Sequence, residues 1–273
     1  MVRLGQEHIG EQNRRFVVIL DDDSEVEAVL YRGDTLCISS QVGCAVGCPF
    51  CASGANGLAR PLAFEELTGQ VEAVRQAGHA VRRVTVSGVG EPLHNAAAVE
   101  EFLEWCRDGG IRRSLTTSGG PTERLVHFMV QAPHNGLTIS VHAGTEETHR
   151  RLVPHGPTLD ALFGAVGEAY PQLGTRRRKK TALAYLMIAG DNDTDAELDA
   201  FAARVAPFPL AVHLYAFNPV PTSTCRPVTR GRYEEAYERL TGHGLRVRMS
   251  SQARIEANGG CGTLVALGKR RPG

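Results

Sequence analysis

The stretch Thr35 to Gly54, TLCISSQVGCAVGCPFCASG, places Cys44, Cys48 and Cys51 in one loop at a C-x3-C-x2-C spacing. Three thiolates this close in sequence can converge on one face of an iron–sulfur cluster, whereas a four-iron cluster needs a ligand for every iron. One iron stays open to a small molecule. A zinc site is the competing reading, but structural zinc takes four ligands, commonly as C-x2-C pairs, and no fourth stands nearby. Phe50, next to Cys51, is placed to shield such ligands from water.

Outward from this loop, apolar strand patterns alternate with amphipathic helical ones. Strands are expected near 35–40, 82–88, 112–119, 137–143, 181–188 and 211–217. Helices are expected near 63–77, 96–108, 121–131, 158–169, 194–205 and 229–242. Leu67, Val71 and Val74, spaced by four and three, give the first helix one apolar face. Repeated βα units require a parallel sheet covered by helices, and six of them suit a partly open α/β barrel. FVVIL (16–20) and VEAVLY (26–31) flank the turn-rich DDDSE and predict a β-hairpin ahead of the barrel. LRVRMS (245–250) predicts a last strand leading into a glycine-rich tail that carries Cys261. The chain therefore divides into a hairpin extension (1–34), a partial (β/α)6 barrel (35–243) and a C-terminal strand and tail (244–273).

In parallel α/β sheets the loops at the carboxyl ends of the strands build the active site. The cysteine loop follows the first strand, GVGEPLHN (88–95) the second, TSGG (117–120) the third, HAG (142–144) the fourth and NPVP (218–221) the sixth.

Composition narrows the class. Hydrophobic residues make up 42% and charged residues 22% of 273, a globular balance. The longest apolar runs are far too short for a membrane span, and MVRLGQEHIGEQNRR shows no secretory h-region. A reducing cytoplasmic location is expected, where clustered cysteines serve as metal or redox ligands rather than disulfides. Thirty basic residues balance thirty acidic ones, which argues against a whole-surface grip on nucleic acid. RRRKK (176–180) and the terminal KRR read first as solvated segments, with a phosphate contact as the alternative.

Taken in order, TLCISSQVGCAVGCPFCASG, GVGEPLHN, TTSG, TISVHA, RLVP, AFNPVP and CGTL resemble the RlmN and Cfr family of adenine methyltransferases within the radical S-adenosylmethionine (SAM) superfamily. The resemblance runs from about Glu27 to about Leu264. It implies a 4Fe–4S cluster on Cys44, Cys48 and Cys51, with SAM chelated by the open iron. Gly90 and Glu91 match positions that hold the methionine amino group, a role suited to a carbonyl and a carboxylate. Ser140, Val141 and His142 match a SAM-contacting strand end, Asn218 another contact near the adenosine, and Thr116 stands where the family has serine.

The resemblance also implies two further thiols. Cys261 matches a methyl carrier: one SAM methylates its sulfur, and a second supplies the radical that activates the methyl for addition to an sp2 carbon of adenine. Cys37 matches the cysteine that resolves the resulting crosslink by forming a disulfide with the carrier; a buried apolar thiol is its simpler reading. Glu27 lines up with a glutamate acting near proton removal, against a surface carboxylate on a hairpin. Cys106 and Cys225 match nothing. The implied partners are an adenine-containing substrate, RNA or a smaller nucleoside, and an electron donor such as flavodoxin or ferredoxin, with the chain acting as a monomer away from membranes. The helical domain that precedes the hairpin in the rRNA-modifying members is not matched here, and RMSSQARIEANGGCG replaces their TRGxD run. Non-methylating radical chemistry on a small molecule, or a non-catalytic iron–sulfur sensor or RNA-binding module, are the alternatives.

Overall fold

The computed structural model describes residues 2–250 and 263–268. Cys261, the expected methyl carrier, lies outside the described residues, as does the pairing expected of it with Cys37.

Seven parallel strands form the frame: β4 (Thr35–Ile38), β7 (Arg83–Val86), β8 (Arg112–Thr117), β9 (Gly136–Ser140), β10 (Thr181–Met187), β11 (Ala211–Ala216) and β12 (Arg246–Met249). They lie side by side in chain order. Between them run α1 (Phe64–Gln76), α2 (Ala96–Asp108), α3 (Thr122–Val130), α4 (Glu146–Leu152), α5 (Leu159–Ala169), α6 (Thr175–Arg178), α7 (Asp195–Val205) and α8 (Arg230–Gly242). The expected six βα units and closing strand are all present. α4 and α6 are additional, each too short for apolar periodicity to reveal.

The amino-terminal extension is larger than a hairpin. β2 (Asn13–Ile19) and β3 (Glu25–Tyr31) pair as expected, and β1 (Arg3–Ile9) adds a third antiparallel strand. RLGQEHI is mostly exposed and carries little apolar signal, which is why its pattern does not announce a strand. β3 then pairs antiparallel with β4, Val29 opposite Cys37, so extension and barrel share one ten-stranded sheet.

Alternation along the parallel strands separates two environments. Val84, Val86, Leu115, Leu137 and Ile139 face the helices and share one core with Phe102, Leu103, Leu125, Phe128 and Leu162. The residues between them, Thr85, Ser114, Thr116, Thr138 and Ser140, point the other way and are small and polar. Register aligns these as rows, Thr85 beside Ser114 and Thr116 beside Thr138. Hydrophobic stabilisation is therefore concentrated between sheet and helices, and the barrel interior stays polar.

Candidate active site

The cysteine loop is framed by a small hairpin, β5 (Gln41–Gly43) and β6 (Leu58–Pro61). Gly43 turns the chain at φ +82, and a Cβ there would stand 1.9 Å from the Gly57 carbonyl oxygen. Only glycine fits. The Cys44 N–H donates to that same carbonyl at 3.0 Å, and Cys51 N–H donates to Cys48 O at 3.0 Å, so the loop is pinned at both ends. RLVP, noted in the sequence, packs onto it through Leu152 and Val153, and His155, the next residue, donates its N–H to Val46 O at 3.3 Å.

Cys44, Cys48 and Cys51 line a cavity of about 140 Å³ with Phe50, Ser87, Gly90, Glu91, Thr116, Ser140 and His142. Residues read from separate strand ends thus converge on one hollow. The thiols fit a cationic cluster in one respect that the protein itself displays: burial pushes Cys44 up to about 11 and Cys48 well above its usual range. Such thiols ionise when a metal takes the charge, and Phe50 and Val153 keep the site apolar around them.

Glu91 is 4% exposed and its carboxylate is saturated by the protein. Oε1 accepts from Leu93 N at 3.0 Å and from the Thr117 hydroxyl; Oε2 accepts from Ser118 N at 2.7 Å and Ser118 Oγ at 2.8 Å. A carboxylate offers about four lone-pair sites, and all four are occupied. Glu91 therefore ties its own loop to the end of β8, and the backbone of Gly90 is the less encumbered acceptor for an ammonium. Gly90 sits at φ +110, and the Gln41 backbone N would lie 2.8 Å from an added Cβ. Gln41 itself accepts the Glu91 N–H through Oε1 at 2.8 Å.

His142 adopts φ +60 just beyond β9. Its Nδ1 accepts the Leu186 N–H at 3.0 Å, which leaves the ring proton on Nε2. Asn192, fully buried, donates to the His142 carbonyl at 2.7 Å and holds this strained turn. Burial pulls the imidazole down to about 3, so it stays neutral, and Phe50 packs edge-on against it at 5.3 Å.

Val141 belongs to the opposite face: it is fully buried in the core, and its carbonyl accepts from His149 Nδ1 at 2.9 Å. Asn218 follows β11 and is half-buried, and neither it nor Val141 lines the cavity. Cys106 is a core residue of α2, and Cys225 packs against the apolar group around Cys44, Val46 and Leu152, nearer the loop than its isolation in sequence suggests.

Cys37 is 1% exposed, and its sulfur lies 3.2 Å from the hydroxyl of Ser87, which lines the cavity. Ser87 in turn meets Thr85 Oγ1 at 3.2 Å. Glu27 is 2% exposed, contrary to a surface carboxylate. Its Oε2 accepts the Leu264 N–H at 3.1 Å at the start of α9 (Thr263–Gly268), a helix that begins two positions beyond Cys261. Ser39 fixes the same strand, donating from Oγ to Glu27 O at 2.6 Å and accepting Val89 N at 2.9 Å. Gln41, Ser39, Ser87, Ser118 and Asn192 went unread in the sequence. Their work is to tie strand ends together, and no spacing rule marks it.

Comparison with known proteins follows the same outline. A model of the radical SAM superfamily matches residues 38–205. The dual-specificity RNA methyltransferase RlmN of Sorangium cellulosum is 36% identical over 86% of this chain, which spans 62% of that protein's length. A probable RNA methyltransferase of Thiobacillus denitrificans is 32% identical over 97% of the chain and 74% of its own length. The crystal structure of a radical SAM methyltransferase from Sphaerobacter thermophilus superposes with a TM-score of 0.81 at 26% identity, covering 96% of this chain and 80% of that one.

Proposed function

The chain belongs to the radical SAM superfamily, and from that premise we propose that it is an RNA methyltransferase that places a SAM-derived carbon on an sp2 carbon of adenine by way of S-methylated Cys261. The observation that carries this reading is Cys37. A thiol outside the three-cysteine loop, 3.2 Å from a cavity-lining hydroxyl, has no part in making a radical but suits the release of a protein–substrate crosslink. The position of Glu27 supports it, because the carboxylate holds the helix that follows Cys261.

A 4Fe–4S cluster on Cys44, Cys48 and Cys51 would supply the electron that breaks the carbon–sulfur bond of SAM. The remaining work falls to this chain's side chains and backbone. The Gly90 carbonyl and the hydroxyls of Thr116 and Ser140 offer partners for the polar groups of SAM, and the His142 Nε2–H offers a donor. Phe50 and Val153 exclude water from the cavity, which protects a reactive intermediate. One SAM would methylate Cys261, a second would activate that methyl, and Cys37 would close a disulfide with the carrier to free the product. An electron donor of the flavodoxin or ferredoxin kind completes the scheme.

The test is anaerobic reconstitution with methyl-labelled SAM and RNA. Label is expected on the Cys261 peptide and in RNA adenine. Formation of 5′-deoxyadenosine with neither the peptide nor RNA labelled would replace this reading with non-methylating radical chemistry.

A further inference from the structure

The amino ends of β7 to β10 form the pole of the barrel opposite the cysteine cavity. Two adjoining hollows open there. The larger, about 800 Å³, is lined by Arg112, Arg113, Arg176, Arg177 and Lys180 and by no acid. The smaller adds Arg75, Arg82 and Arg83, has Asp34 as its one acid, and shares Arg112 with the first.

These cations are of two kinds. Arg113 and Arg177 are fixed to the protein: Arg113 donates to the Pro133 carbonyl, and Arg177 donates to Met129 O at 2.9 Å and Ala132 O at 2.6 Å. They shape the hollow. Arg82, Arg112, Arg176 and Lys180, and Lys179 beside Lys180 in the chain, form no ion pair or side-chain hydrogen bond among the described residues, and all five are exposed. In a chain whose thirty cations are matched by thirty anions, five unmatched cations at one pole make a local positive field the composition hides. Guanidinium forks flanking a concave surface suit phosphodiester oxygens, which they grip in pairs.

We infer that this pole binds the phosphate backbone of the substrate RNA away from the modified base, an assignment that rests on the RNA methyltransferase reading. Arg112 and the cavity-lining Thr116 lie on one strand, about 13 Å apart at 3.3 Å per residue. A folded RNA is large enough to reach both poles. A free nucleoside is not, so the surface favours RNA over a small substrate.

The test measures binding of fluorescein-labelled bulk transfer RNA across a salt series. Replacing Arg112, Arg176 and Lys180 together by alanine is expected to weaken binding at least tenfold at low salt. It should also flatten the dependence of log K on log salt by roughly 2 to 3, about one counterion for each phosphate no longer neutralised. Unchanged affinity and slope, or a wild-type protein that does not hold RNA, overturns the assignment. Amine acylation of the wild-type protein gives a second readout free of any variant. The chain has three lysines, Lys179, Lys180 and Lys269, so RNA should protect the first two; full reactivity of both in saturating RNA counts against the surface. Label transfer separates the two readings. RNA methylated equally by both proteins sinks the surface alone, while RNA retained through these residues but never methylated sinks the chemistry alone.

Discussion

Glu27 and Leu264 meet across 237 positions of sequence, carboxylate to backbone N–H at 3.1 Å. The bond joins the extension ahead of the barrel to the helix beyond the expected carrier cysteine, and it makes one buried acid the seat of the chain's far end.

Replacing Glu27 by alanine should release α9. A lost helix-terminal cap costs about 0.5 to 2 kcal/mol, or roughly 2- to 30-fold faster amide exchange across 263–268. Hydrogen-exchange mass spectrometry checks this. Glu27→Gln keeps an acceptor oxygen and should preserve the protection while losing any role in proton removal, so methyl transfer measured in the two variants separates seating from chemistry.

Gly43 and Gly57 both have positive φ, yet they should respond differently to alanine. At Gly57 an added Cβ meets nothing within 4 Å, and only the left-handed backbone is penalised, by about 1 to 2 kcal/mol. At Gly43 the Cβ would meet the Gly57 carbonyl at 1.9 Å. Urea denaturation should show Gly43→Ala as the costlier change, and iron content after reconstitution should fall with it.

Loss of any one of Cys44, Cys48 and Cys51 to alanine should abolish bound iron and 5′-deoxyadenosine formation with little change in thermal stability of the apoprotein. Cys106→Ala should do the reverse. It empties a fully buried core position and should cost stability while leaving iron content intact. Iron assay and thermal melts distinguish the two.

His134 is 8% exposed, and burial lowers its imidazole to about 4 from the free value of 6.5. The folded state thus resists a proton that the unfolded chain accepts. Stability contributed by the neutral ring is complete above pH 6.5 and declines on acidification until the folded form is also protonated near 4. The slope is at most about 1.4 kcal/mol per pH unit in that window. His134→Gln keeps a donor toward Phe128 O, to which Nε2–H donates at 2.8 Å, and should flatten this limb in denaturant titrations from about pH 7 to 4.

The barrel was legible because its strands and long helices carry period and length. The expected 96–108 helix and the observed α2 coincide, and the expected 211–217 strand became β11 at Ala211–Ala216. β1 and the β5–β6 hairpin were not legible, since pairing with neighbouring segments rather than composition makes them strands. At the site, motif positions found Cys44, Gly90 and His142 but could not separate Val141 from its neighbours. Strand alternation does that, sending Ser140 and His142 to the cavity and Val141 to the core. Glu91 shows the other limit: its place was readable, while its four donors come from loops that only folding assembles.

The small polar residues on the inner side of β7, β8 and β9 carry a consequence for how this scaffold diversifies. Because the packed layer lies on the outer side, Thr85, Ser114 and Thr138 can be exchanged for other small polar side chains without disturbing the apolar packing. The lumen is thus open to retailoring toward new substrates while the outer wall stays as it is.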